Sequence, residues 1–174
     1  MPDKVRSFGG RFAATALLSL ALAAAASCTQ VVDFKKTLQV TDVSGGWYDA
    51  GIVDGKNKLV PTVSFRVRKP ADVRLRSISL NVHFKRIVDP SKPGLEGEEE
   101  ADEVFLQTVD FVDGTQTALL PVRAPTGFTG EQARAEMLQH SQFKDFRARV
   151  FAKESSTTWV ELLTYDVPRT VLTK

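Results

Sequence analysis

Cysteine is almost absent from this 174-residue chain. Cys28 stands alone, so no disulfide can form within the chain and the fold must rest on burial. Histidine is nearly as scarce. His83 and His140 are the only two, neither has a cysteine partner, and no H-E-x-x-H spacing occurs, so no metal site is expected. His83 falls on the polar side of an alternating segment and His140 at the end of a candidate helix, where both read as structural. The sequence has no G-x-S-x-G elbow, no phosphate-binding glycine loop and no G-x-G-x-x-G. Spacing leaves open carboxylates converging from distant strands and a Ser-His-Asp triad assembled in space from His83 or His140, for which nothing local argues. The expectation is no enzyme and no cofactor. An excess of one charge is missing as well. The chain has 23 basic and 21 acidic residues, and Lys4, Arg6 and Arg11 against Asp3 account for the difference; residues 28–174 carry 20 of each. That balance gives no reason to expect a nucleic-acid partner. The apolar run 12–26 falls short of the roughly 20 residues that span a bilayer.

What is present begins with order. Lys4, Arg6 and Arg11 precede that run, and Ala25-Ala26-Ser27-Cys28 closes it with small residues. A charged region, an apolar region and a small-residue cleavage zone describe an export signal. The segment resembles the lipobox of bacterial lipoproteins. That resemblance implies that Cys28 is fatty-acylated, as by palmitate, and becomes the first residue of the mature chain. Thr29 in place of aspartate after it implies the outer membrane, facing the periplasm. The alternative is ordinary cleavage after Ala26, leaving Cys28 as a free thiol. Three segments result: a signal peptide at 1–27, a tether at 28–36 reaching about 30 Å when extended, and a folded domain at 37–174.

The domain reads as short alternating strands. Leu38, Val40 and Val43 mark the first, ended by Ser44-Gly45-Gly46. Val63, Phe65 and Val67 alternate with polar residues, as do Ile78, Leu80, Val82 and Phe84. Asp113-Gly114-Thr115 separates VFLQTVDFV from QTALLPVR as a hairpin turn. Strands follow at 146–153 and 158–166, with Trp159 in the second, and Val171 and Leu172 can edge a sheet. Thr129 and Gln132 form a capping-box pattern that predicts a helix through about His140, with Ala133, Met137 and Leu138 on its apolar face. The expected fold is all-β: an immunoglobulin-like antiparallel β-sandwich of about seven strands with one short helix.

The stretch VSFRVRKPADVRLRSISLNVHF, Val63 to Phe84, carries a second resemblance. It is similar to the strand–loop–strand core of immunoglobulin-like domains in bacterial lipoproteins of the FxLYD type and their late-embryogenesis-abundant relatives. Phe65 and Val67, then Leu75, then Ile78 to Phe84 take the matching places. The resemblance implies the sandwich and assigns no activity.

Three surface features remain. Residues 96–103 hold six carboxylates, Glu96, Glu98, Glu99, Glu100, Asp102 and Glu103, and read as a solvated loop or a site for a cation or basic partner. Arg66, Arg68, Arg74 and Arg76 form a basic cluster suited to a partner or to anionic headgroups. Pairing of Val67 with Ile78 and of Phe65 with Leu80 would put Arg66 and Arg68 on one face with His83 and Lys85. Trp47 and Tyr48 read as a core cap or as partner anchors. Together these features predict a membrane-anchored, non-catalytic envelope module that binds an envelope protein. The alternative is a periplasmic carrier holding a lipid or other apolar ligand between its sheets.

Overall fold

A computed structural model describes residues 32–92, 94–154 and 158–172. Cys28, the signal segment 1–27 and most of the tether lie outside the described residues. The tether's last residues do not: Phe34–Thr37 form a single helical turn, α1, packed on a later strand, and Phe34 is buried. An aromatic flanked by Asp33, Lys35 and Lys36 gains more by burial than a spacer gains by freedom.

Two long strands, β1 (Gln39–Val53) and β2 (Lys56–Arg68), form one antiparallel hairpin. Its turn is Asp54-Gly55, both at positive φ (50° and 77°), a two-residue turn whose twist suits a hairpin. Gly45-Gly46, expected to end the first strand, lies inside β1. A Cβ on Gly45 would sit 2.7 Å from the Thr62 carbonyl oxygen and the Tyr165 ring, and one on Gly46 would sit 2.6 Å from the Thr170 carbonyl oxygen. Here glycine permits close approach of backbone and ring rather than a turn.

The chain continues through β3 (Ser77–Ile87), β4 (Glu98–Asp110), β5 (Leu120–Arg123) and β6 (Phe128–Gly130). It ends with β7 (Phe146–Lys153), β8 (Val160–Val167) and β9 (Val171–Leu172). The first sheet runs β5-β2-β1-β9, with β6 also on β2; the second runs β4-β3-β7-β8. All pairings are antiparallel except β1 with β9. The fold is an all-β sandwich. Trp47, Leu59, Val63, Phe65 and Val67 face Ile78, Leu80, Val82, Phe84 and Val150 across a core shielded from water. Each such side chain contributes about 1.5–3 kcal/mol.

Two expectations change. β2 and β3 do not pair: Lys69-Pro70 to Arg76 arches from one sheet to the other, held by buried Leu75 and by the Lys69 ammonium donating to the Val73 carbonyl at 2.8 Å. The helix is one turn, α2 (Arg134–Met137), because Thr129, in β6, pairs with Lys58 of β2 instead of capping. Met137 and Leu138 are buried as predicted, while Ala133 is exposed. Asp113 does close a tight turn. Its carboxylate accepts from the Thr115 and Gln116 amides, which holds its pKa down at about 2. That turn links β4 of one sheet to β5 of the other rather than two neighbouring strands.

Candidate functional site

The acidic run is a strand, not a loop. Glu98 to Glu103 open β4 and pair with the basic end of β3: Ile87 lies opposite Glu98, Arg86 opposite Glu99, Lys85 opposite Glu100 and His83 opposite Glu103. The cause is electrostatic register, since opposite charges on facing strands attract where a solvated loop would leave them repelling. Glu100 binds the Lys85 ammonium and lies 3.4 Å from His83 Nδ1. Glu103 accepts from the Asn81 amide, and Asp102 from the Thr126 backbone and hydroxyl.

Glu98 is the centre of this face. Its side chain is 2 % exposed, with Arg147 Nη1 at 2.6 Å and Arg149 Nη2 at 3.0 Å. Burial alone would push its pKa up, but hydrogen bonds from Arg149 and Arg147 outweigh that and hold the carboxyl below its ordinary value. Arg147 also forks onto Asp166, which with Glu98 raises the guanidinium pKa, and Arg149 reaches Glu161 at 3.2 Å. A charge ladder therefore crosses the second sheet from β4 to β8. Among the described residues no group of three or more His, Cys, Asp or Glu converges to hold a metal ion. The arginines that complete this ladder escaped the sequence reading. Their signal was present: Arg147 and Arg149 alternate with Phe146, Ala148 and Val150 in a strand pattern.

The four-arginine cluster divides between two places. Arg66 and Arg68 sit on β2, in the sheet opposite that of His83 and Lys85, because β2 and β3 belong to different sheets. Arg66 donates to the Thr117 carbonyl at 3.0 Å and lies 3.4 Å from Asp42; Arg68 donates to Gln116 at 3.2 Å. Arg74 and Arg76 flank Leu75 on the arch, both exposed.

Trp47 is fully buried, edge-on to Phe143 at 4.5 Å and Phe146 at 5.5 Å between ring centroids. A free partner anchor is thus ruled out for it in this fold. Tyr48, the next residue, lies beneath the Arg123 guanidinium at 3.5 Å. Trp159 just precedes β8, edge-on to the half-exposed Phe105. Beside Trp47 opens a cleft of about 400 Å³, walled by Phe128 and Phe146 and carrying Arg86, Glu99 and Lys144. The Trp47 indole N–H has no acceptor among the described residues. No local pattern announced this cleft; it is assembled from β1, β3, β4, β6, the start of β7 and the segment before it.

Comparison with known proteins finds no matching family model, no matching curated protein and no matching solved structure. Among the described residues no helix is long and apolar enough to cross a membrane.

Proposed function

We propose that the chain is a lipid-anchored module of the bacterial envelope that binds a protein partner and catalyses no reaction. Fatty chains on Cys28 hold it to the outer membrane on the periplasmic side, each buried CH₂ contributing about 0.8 kcal/mol. The observation that supports partner binding is the tip of the β1–β2 hairpin. Ile52 is 70 % exposed there and Val53 42 %, although a charged or polar residue would serve the turn equally well. The tip is firmly built, with Val53 opposite Lys56 and β6 paired to β2 from Asn57 to Leu59. A rigid apolar tip loses little entropy when it is covered.

Its position suits the role. β1 begins where the chain enters the domain and reaches the tip 15 residues later, roughly 50 Å along the strand. An anchored molecule would present the tip away from its tether. The test is site-specific photocrosslinking in intact membranes, with the probe at Ile52 and, as control, at the exposed Asp72 of the arch. Position 52 should capture one discrete envelope protein, lost in the Val53→Asp background. Identical adducts from both positions, or none from position 52, would overturn the proposal.

A further inference from the structure

The cleft beside Trp47 has a chemistry of its own, separate from the hairpin tip. Its walls are apolar: Trp47, Phe128, Phe146 and Val88. Arg86 and Lys144 bring two positive charges to it and Glu99 one negative, the Glu99 carboxylate lying 3.5 Å from Arg86. The Arg86 guanidinium also stands over the Phe146 ring at 6.0 Å, so cation and apolar wall adjoin. Trp47 itself lines the cleft, and its indole N–H is buried without an acceptor among the described residues. A buried donor left unpaired is costly, and an incoming acceptor would relieve that cost. Apolar walls with a few convergent polar groups are what small-molecule sites are made of. Phe65, Phe84 and Leu80, by contrast, are fully buried between the sheets.

We infer that this cleft binds a small amphiphilic carboxylate, its apolar body against Phe128, Phe146 and Val88 and its anionic head toward Arg86 and Lys144. The net positive lining selects the anion over a neutral or cationic amphiphile of equal length. Glu99 opposes the same head and limits its affinity. This site stands independently of any partner at the hairpin tip, and either can be lost without the other.

The test uses the full folded domain and three probes of one chain length: octanoate, octanol and octylammonium. The readout is the indole N–H resonance of Trp47, distinguished from that of Trp159 by the Trp159→Phe variant. Octanoate should shift the Trp47 signal saturably at millimolar concentration and leave octanol and octylammonium weaker. Arg86→Gln and Lys144→Gln should each loosen octanoate about threefold to fivefold, the size of a solvent-exposed charge contact, and Glu99→Gln should tighten it by a similar factor. A Trp47 signal that octanoate leaves unmoved would overturn the inference. So would equal affinity for all three probes, or variants that bind octanoate as the wild type does. A folded spectrum for each variant, read from the remaining amide signals, shows that lost binding is not lost structure.

Discussion

Glu98 carries the heaviest electrostatic duty of any side chain on the second sheet. It is enclosed, ionised and shared by Arg147 and Arg149. Removing its charge leaves the two guanidinium groups with only their outer partners, Asp166 and Glu161, and breaking an enclosed ion pair costs more than making it ever gained. Glu98→Gln should lower unfolding stability by about 2–3 kcal/mol in urea titration, given that both arginines keep partial exposure. Its pH signature follows from the direction of the shift. The folded pKa is depressed, so the stabilisation is fully present above the ordinary glutamate value of about 4.3 and is lost as pH falls through the lower folded value. The acid limb of the wild-type stability curve should therefore be shallower in the variant. An unchanged midpoint and an unchanged acid limb would show that the ladder is decorative. Much at this scale could be read in advance. The carboxylates of 96–103 were conspicuous, but their side-chain partners lie 13 to 51 positions distant in sequence, and spacing alone does not rank those pairings.

At the level of elements, alternation was legible and pairing was not. Val63–Val67, Ile78–Phe84 and Phe146–Ala152 turn their apolar residues to the core as their period of two demands. The same pattern fits a hairpin partner or a strand in the facing sheet, so the arch after Lys69 was indistinguishable from a turn. Its deciding features are three-dimensional: buried Leu75 and the Lys69 ammonium over the Phe111 ring at 5.3 Å. Glycine misled in a similar way. Asp54-Gly55 makes the hairpin turn, whereas Gly45-Gly46 makes room for Tyr165 and β9. Gly46→Ala tests that distinction. Its Cβ would meet the Thr170 carbonyl and the Leu172 side chain, and such overpacking typically costs 1–3 kcal/mol, about the scale expected here in thermal or urea unfolding. The variant should also expose β9 amides to faster hydrogen exchange. Unaltered stability and exchange would mean that β9 is not held against β1 as described. The capping-box pattern at Thr129 failed for the reason propensity often fails: pairing with Lys58 on β2 offered a tertiary alternative to the cap.

For the molecule as a whole, charge and apolar surface are segregated. The basic and acidic strands of the second sheet satisfy one another, and the arginines of β2 are tied to Asp42, Thr117 and Gln116. Exposed apolar side chains concentrate instead at turns and edges, with Ile52 and Val53 at the hairpin tip and Val112 beside the Asp113 turn. A sandwich so arranged has spent its ion pairs on rigidity, and what it offers a neighbour is apolar contact at its extremities. The proposed role requires that the domain be held where a partner is. The proposed anchor at Cys28 would do this: five residues separate it from Phe34, a reach of about 20 Å at full extension. The most direct measurement is the intact mass of the natural protein extracted from its membranes. The account predicts a chain beginning at Cys28 whose mass exceeds that of residues 28–174 by its fatty chains. A free thiol at Cys28, on protein released from membranes by salt alone, would contradict it.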